Sequence, residues 1–158
     1  MAKVLIGFMG AGKTTIAKEL DSNYVDMDAV ISDRIGMSIA DFFAKEGEPA
    51  FRQIETDVLA ELLMTNQVIS TGGGVVVTEG NRRLLADNEQ TIYLRADFET
   101  LYNRIAADKA NIRPLFVNNS KEAFQAIFEQ RQAWYEEAAT QIIDVAGKSP
   151  KQIIEEIK

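Results

Sequence analysis

The feature that most limits the possible fold is a glycine-rich segment near the start of the chain. Residues 7–14 read GFMGAGKT and match the pattern G-x-x-x-x-G-K-[ST] at every position. The apolar run Val4–Ile6 precedes this segment and a helical pattern follows it, as expected when glycines turn a strand into a helix around phosphate groups. Lys13 would then reach the β- and γ-phosphates, and the Thr14 hydroxyl would bind Mg²⁺. The segment predicts a nucleotide-binding α/β protein, although a glycine-rich turn without a ligand would have the same local sequence.

Short apolar runs alternate with longer helical patterns along the rest of the chain. This alternation predicts a mostly parallel sheet covered by helices on both faces, built as one domain over residues 1–158. Strands are predicted at Val4–Ile6, Tyr24–Met27, Val68–Ser70, Thr91–Leu94 and Ile142–Val145. Helices are predicted at Lys13–Leu20, Glu48–Met64, Glu79–Ala86, Asp97–Ala107, Ser120–Thr140 and Lys151–Ile157. The irregular stretch at about 108–119 would be either a lid or a surface connection.

Composition narrows the chemistry that such a domain can perform. The chain has no histidine and no cysteine, so its proton acceptor would be Asp or Glu and its metal an oxygen-ligated cation such as Mg²⁺. A net charge of −7 argues against general binding to nucleic acid or anionic lipid, so an anionic substrate must be met by a few placed cations. No apolar run approaches the ~20 residues of a membrane span, and we therefore expect a cytoplasmic protein.

Two aspartates separated by one residue follow the glycine-rich segment closely. If residues 24–28 form a strand, Asp26 and Asp28 lie on the same face, about 6.6–7 Å apart. Asp26 could then hold Mg²⁺ beside Thr14, while Asp28 could accept the proton of an attacking hydroxyl group. Alternatively, the pair marks the end of a strand and caps a helix that begins near Ala29, because Asp is favoured at that position.

Three arginines occupy positions where a cation needs a partner. Arg131 interrupts an apolar stripe of the predicted helix Ser120–Thr140, so we expect an anion beside it. Arg52 and Glu55 are three residues apart on another predicted helix, where Glu55 would either hold the guanidinium group for a ligand or form an ordinary surface salt bridge. Arg113, in the irregular stretch, would either close over nucleotide phosphates or remain a solvated loop residue.

A run of three glycines, at residues 72–74, follows the third predicted strand. It would expose backbone N–H groups at the carboxyl end of that strand, where open α/β sheets bind ligands, although a tight turn or bulge explains glycines equally well. The chain lacks the Asn-Lys-x-Asp motif of GTPases, and its D-x-x-G match at Asp33–Gly36 lies within a probable helix. It also lacks the long apolar run ending in Asp-Glu that many motor ATPases carry. The class that remains is the small kinases.

Six segments of the chain occur in the order found in one family. They are residues 7–14, Asp26-x-Asp28, Ala50–Glu55, Thr71–Gly74, Arg113–Leu115 and Arg131-x-x-x-Tyr135. With them the chain resembles shikimate kinase over nearly its whole length. The resemblance implies a three-layer P-loop kinase fold with a five-stranded parallel sheet, substrate-binding helices and a lid. It also implies transfer of the ATP γ-phosphate to the 3-hydroxyl of shikimate, Mg²⁺ as the cofactor and a monomeric protein.

The same resemblance implies roles for individual residues. Those implied to bind the nucleotide are Gly10, Ala11, Gly12, Lys13, Thr14, Thr15, Arg113 and Lys148, and those implied to hold Mg²⁺ are Thr14 and Asp26. Those implied to bind the substrate are Asp28, Arg52, Gly73 and Arg131, supported by Glu55, Gly72 and Gly74. Catalysis is implied for Asp28 as the base, together with Lys13 and Arg113. The substrate-binding region would span about residues 28–60, and the lid about 108–119.

Two other functions are compatible with the motifs. One is a different small-molecule kinase on the same fold, such as a gluconate or nucleoside-monophosphate kinase. Adenylate kinases usually carry Gly after the lysine of the phosphate loop, whereas Thr14 follows Lys13 here. The other is a nucleotide-binding switch without catalysis, which would leave Arg131 in its apolar stripe unexplained.

Overall fold

A parallel sheet forms the centre of the protein, as the alternation of strands and helices predicts. The structure, a computed structural model, describes residues 1–108 and 113–157. Within these residues the sheet has five strands in the order β2-β3-β1-β4-β5, and every neighbouring pair is parallel. The strands are β1 Lys3–Ile6, β2 Val25–Asp26, β3 Val68–Ser70, β4 Gln90–Arg95 and β5 Gln141–Asp144.

Helices flank the sheet and connect its strands. They are α1 Lys13–Leu20, α2 Met27–Ile35, α3 Ile39–Glu46, α4 Glu48–Leu63, α5 Glu79–Asp87, α6 Phe98–Ala107, α7 Pro114–Val117, α8 Lys121–Ala138 and α9 Pro150–Glu156, with a 3₁₀ turn at Val75–Val77. Helix α1 packs against α9, and α5 packs against α8. Helices α3 and α7 are additions to the predicted set, whereas α2 corresponds to the alternative in which the aspartate pair caps a helix near Ala29. Helix α3 begins after Ser38, whose side chain accepts a hydrogen bond from the Asp41 N–H and caps the helix.

The central strands are buried on both faces, which explains their nearly continuous apolar sequences. Val4, Leu5 and Ile6 of β1 are fully buried, as are residues 91–94 of β4. A parallel sheet with helices on both sides requires this pattern, because no strand face meets water. Among the described residues, no helix combines the length and the apolar character needed to cross a membrane.

The register of the sheet brings three strand ends to one edge. Leu5 of β1 and Asp26 of β2 both pair with Ser70 of β3. The glycine-rich loop at residues 7–12 follows β1, and the three glycines at residues 72–74 follow β3. These two loops therefore lie next to each other at the carboxyl edge, where ligands bind in open α/β sheets.

The second strand is shorter than predicted, which corrects the expected arrangement of the aspartate pair. Strand β2 ends at Asp26, whose Oδ1 accepts hydrogen bonds from the N–H groups of Asp28 at 3.0 Å and Ala29 at 3.4 Å. Asp26 therefore caps α2, and the helix starts at Met27. The prediction that strand alternation aligns the two carboxylates is wrong, and the alternative, a helix cap, is confirmed for Asp26. Asp28 lies in the first turn of that helix.

Candidate active site

Two adjoining cavities open at the carboxyl edge of the sheet. The first, of about 690 Å³, is lined by residues of the loop after β1 and of the first turn of α1, together with Asp26 and Ser70. The second, of about 580 Å³, is lined by residues of α3 and α4 and adjoins the first. The residues that line both are Met9, Asp28, Gly72, Gly73 and Arg113. The two cavities therefore form one continuous site with a shared wall.

The loop after β1 has the backbone of a phosphate cradle. Gly10 and Gly12 have φ angles of 83° and 95°, a region that residues with a side chain rarely adopt, and α1 begins immediately after them. The N-terminus of α1 therefore points its unpaired N–H groups and its dipole at the first cavity. The predicted residues Gly10, Gly12, Lys13, Thr14 and Thr15 line this cavity, and Ala11 is a buried member of the same loop.

Lys13 is the first residue of α1 and directly follows this loop. Its Nζ donates to the carbonyl oxygens of Gly7 at 2.6 Å and Phe8 at 3.0 Å. Burial lowers the pKa of Lys13 to about 7; the carboxylate of Asp28 opposes this effect and the guanidinium groups of Arg113 and Arg131 add to it. A lysine held in this way gains a favourable partner when negative charge enters the cavity.

Oxygen atoms suited to a hard cation lie beside the cradle. The hydroxyl oxygens of Thr14 and Ser70 are 3.4 Å apart, and Asp26 lines the same cavity. The cap of α2 uses Oδ1 of Asp26 as its acceptor. Among the described residues, no group of three or more Asp, Glu, His or Cys side chains forms a metal site. Any Mg²⁺ bound here would take further ligands from phosphate groups and water, as this ion commonly does.

Asp28 lies where the two cavities meet. Burial raises the pKa of its carboxyl group, and Asp26 raises it further, whereas Lys13 and Arg52 lower it. Gly72 packs directly against this carboxylate: a Cβ atom on Gly72 would lie 2.7 Å from Oδ1 of Asp28. The glycine is therefore required for the position of Asp28.

Arg52 is fixed at the wall of the second cavity. Its Nη1 donates to Oε1 of Glu55 and to the carbonyl oxygen of Gly74, both at 3.0 Å. Glu55 is only 2% exposed, and burial raises its pKa while Arg52 lowers it. The pair is therefore not the surface salt bridge that the sequence also allowed. Nε of Arg52 is buried with no hydrogen-bond partner in the described part of the chain.

The environment of Arg52 accounts for three further residues. Its guanidinium carbon lies 5.9 Å from the ring centre of Phe43 and 5.3 Å from that of Phe51, distances typical of cation–π contacts. A Cβ atom on Gly74 would lie 2.8 Å from Nη1 of Arg52. Gly74 is therefore as necessary for the guanidinium as Gly72 is for the carboxylate.

Arg131 enters the second cavity from α8. The buried residues of this helix include Phe128 and Tyr135, so Arg131 lies on its inward face, as predicted. Burial raises the pKa of Tyr135, and the guanidinium group of the neighbouring Arg131 partly opposes this effect. The Tyr135 hydroxyl in turn donates to the carbonyl oxygen of Gly73.

Arg113 immediately precedes the short helix α7. It lines both cavities, and its Nη2 is 4.0 Å from Oδ2 of Asp108. Its Nε is buried and has no hydrogen-bond partner within residues 1–108 and 113–157. The predicted lid at 108–119 includes α7, while residues 109–112 lie outside the described residues. Arg113 therefore lies at the border between the two cavities.

One predicted nucleotide contact is not brought to the site. Lys148 lies in the loop between β5 and α9, where its Nζ is 2.7 Å from Oε2 of Glu156. It lines neither of the two cavities. Its contact with the nucleotide stays a prediction.

The sequence interpretation also missed residues that line the cavities. Nη1 of Arg104, in the last turn of α6, donates to the carbonyl oxygen of Gly10 at 3.3 Å and lines the first cavity. Ser70 lines the same cavity, and its place at the end of a predicted strand was a usable signal. Arg104 gave a weaker signal, because a basic residue in the last turn of a helix also stabilises the helix dipole.

The fold and the site together define a phosphotransferase of the P-loop kinase class. The family model for shikimate kinase matches residues 9–158. The chain is 58% identical to a shikimate kinase from Streptococcus gordonii, covering 100% of this chain and 99% of that protein. It is 53% identical to a shikimate kinase from Streptococcus thermophilus, with the same coverage. This chain belongs to the shikimate kinase family.

Solved structures agree with this assignment. A shikimate kinase from Acinetobacter baumannii in complex with shikimate matches 98% of this chain and 88% of its own, with a TM-score of 0.86 and 31% identity. A gluconokinase from Sinorhizobium meliloti matches 98% of this chain and 87% of its own, with a TM-score of 0.58 and 14% identity. The second match shows a shared fold alone.

Proposed function

We propose that this chain transfers the γ-phosphoryl group of ATP to the 3-hydroxyl of shikimate, giving shikimate 3-phosphate and ADP. The observation that carries the proposal is the position of Asp28, whose carboxylate lines both the cavity with the phosphate cradle and the cavity with Arg52 and Arg131. A kinase needs one group at the border between its two substrates.

The first cavity would hold the triphosphate of ATP. Backbone N–H groups at the start of α1 and the ammonium group of Lys13 would bind phosphate oxygens, and Arg113 would approach from the border with the second cavity. Phosphate charge would favour the protonated form of Lys13, whose pKa burial lowers to about 7. Thr14 and Asp26 would hold Mg²⁺, which, when bound, neutralises charge on the β- and γ-phosphates.

The second cavity would hold the carboxylate of shikimate. Arg52 and Arg131 supply positive charge there, and the buried Nε of Arg52 is a donor that a carboxylate oxygen can satisfy. Glu55 holds the opposite side of the Arg52 guanidinium group, so this cation is oriented before the substrate binds. The substrate-binding region would extend over about residues 28–60.

Asp28 would accept the proton of the 3-hydroxyl group. The hydroxyl oxygen then bonds to the γ-phosphorus, the bond from that phosphorus to the β,γ-bridging oxygen breaks, and ADP leaves. Burial raises the pKa of Asp28 toward the working pH, which favours proton transfer, while Lys13 and Arg52 favour its ionised form. We further propose that the protein works as a cytoplasmic monomer that binds neither nucleic acid nor membrane, in keeping with its net charge of −7.

A coupled assay of ADP release, with ATP and Mg²⁺, tests the proposal. Shikimate, gluconate and a nucleoside monophosphate are supplied in turn, and a sample without acceptor measures background hydrolysis. We expect ADP release that depends on shikimate. Turnover with gluconate but not with shikimate would identify a different kinase, and ATP binding without any acceptor-dependent ADP release would identify a switch.

A further inference from the structure

We propose that Tyr135 is a positioning residue for the acceptor, because its hydroxyl group fixes the Gly73 peptide and the Arg131 side chain in one geometry. This inference rests on the proposed function, since it assigns a role to a residue behind the second cavity. Tyr135 itself lines neither cavity.

The contacts of the hydroxyl group carry the proposal. Tyr135 is 0% exposed, and its hydroxyl group donates to the carbonyl oxygen of Gly73, which belongs to the wall shared by both cavities. The guanidinium group of Arg131, four residues earlier on α8, lies close enough to the same side chain to lower its pKa. A Cβ atom built on Gly73 would lie 3.8 Å from the Tyr135 oxygen and 3.9 Å from Nη1 of Arg131. The Tyr135 hydroxyl group and the Arg131 guanidinium group therefore both lie close to Gly73.

The chemistry of a phenol suits this position. A phenol oxygen that donates one hydrogen bond to a carbonyl oxygen can still accept another from a nearby guanidinium group, so it can serve both neighbours. Burial raises the pKa of Tyr135 far above its ordinary value, so the group keeps its donor proton over any working pH. The aromatic ring of Tyr135 makes a separate contact: it packs on the ring of Tyr93, with the ring centres 5.1 Å apart.

A movement of Gly73 would spread to both sides of the glycine turn. Gly72 lies against the carboxylate of Asp28, and Gly74 lies against the guanidinium group of Arg52, with no room for even a methyl group. The Tyr135 hydroxyl group thus connects Arg131 to the glycines at residues 72–74, which lie between the carboxylate of Asp28 and the guanidinium group of Arg52. Its loss should disturb acceptor binding more than nucleotide binding.

Tyr135→Phe tests this role, because it removes the hydroxyl group and keeps the ring. Tyr93→Phe is the matched control, since Tyr93 is as buried as Tyr135, packs on the ring of Tyr135 and lines neither cavity. We expect Tyr135→Phe to raise the KM for shikimate roughly ten-fold, the effect of losing one buried hydrogen bond, with the KM for ATP changed by less than about two-fold. Tyr93→Phe should leave both KM values near those of the unaltered protein.

A second measurement does not depend on the acceptor. Hydrogen exchange followed by mass spectrometry should show faster exchange of the peptide that contains residues 72–74 in Tyr135→Phe and not in Tyr93→Phe. Equal changes in the two KM values, an unchanged KM for shikimate, or the same exchange in both variants would overturn the inference. If the unaltered protein does not phosphorylate shikimate, the proposed function fails, and the exchange comparison alone then decides whether Tyr135 holds the turn.

Discussion

Replacing Gly72 with alanine should displace the carboxylate of Asp28 and little else. The new Cβ atom would lie 2.7 Å from Oδ1 and 3.1 Å from Oδ2 of Asp28. Gly72 is not among the glycines with positive φ, so alanine can adopt the same backbone conformation without strain. The substitution therefore acts through this one collision.

The size of the collision sets the expected loss of activity. Ordinary van der Waals contact of a Cβ atom begins at 3.4 Å, so the oxygen at 2.7 Å must retreat by about 0.7 Å, the difference between the two distances. A misplacement of about 1 Å in a reacting group can cost ~10²-fold in rate, and losing a general base costs ~10²–10⁴-fold. We therefore expect kcat to fall roughly 100-fold while the KM for ATP changes by less than about three-fold.

Two other glycines make the measurement specific. A Cβ atom on Gly73 would meet its nearest neighbour, the Met9 nitrogen, at 3.5 Å, and one on Gly80 in α5 would meet nothing within 4 Å. In the coupled ADP assay, Gly80→Ala should retain full kcat and Gly73→Ala should lose far less kcat than Gly72→Ala. A Gly72→Ala variant that keeps its kcat, or loses no more than Gly73→Ala, would refute the role assigned to the position of Asp28.

Three further substitutions test separate parts of the site. Asp28→Asn should lower kcat by roughly 10²–10⁴-fold and leave ATP affinity, measured by titration calorimetry, nearly intact; equal losses in both would make Asp28 a metal ligand or a structural residue. Arg131→Leu should raise the KM for shikimate sharply or abolish activity, and a more stable, fully active variant would contradict its anion-binding role. Burial raises the folded-state pKa of Glu55 above the ordinary 4.5, so its contribution to stability is full below pH 4.5 and is lost as pH rises through that raised value. Glu55→Gln should remove this part of the pH dependence in urea denaturation between pH 4 and 8, and identical pH profiles for the two proteins would contradict the assignment.

The sequence predicted the site best where a function depends on residues close together in the chain. The phosphate loop is a local turn between a strand and a helix, so its glycines, Lys13 and Thr14 could be assigned from spacing alone. Arg52 and Glu55 are also local, and their hydrogen bond follows from one helical turn. The burial of Glu55 was beyond such reasoning, because it depends on α4 packing against distant parts of the chain.

Gly72 and Gly74 show why the rest of the site could not be read from spacing. A run of glycines predicts an exposed backbone or a tight turn, and both interpretations concern the main chain. Here the glycines instead make room for the side chains of Asp28 and Arg52, which come from α2 and α4. That requirement exists only after both helices have packed against the loop. Tertiary contacts of this kind leave no periodic pattern in the sequence.

The aspartate pair shows how a site residue can be identified through the wrong local structure. Strand alternation would have placed both carboxylates on one face, but the cap formed by Asp26 starts a helix one residue later. In the first turn of that helix Asp28 still reaches the wall between the two cavities, because the helix begins at the carboxyl edge of the sheet. Capping also fixes the Asp26 side chain through Oδ1, so the same short segment positions both a proposed metal ligand and a proposed base. Local structure changed the geometry of the pair, whereas its location at the end of β2 determined which cavities it could reach.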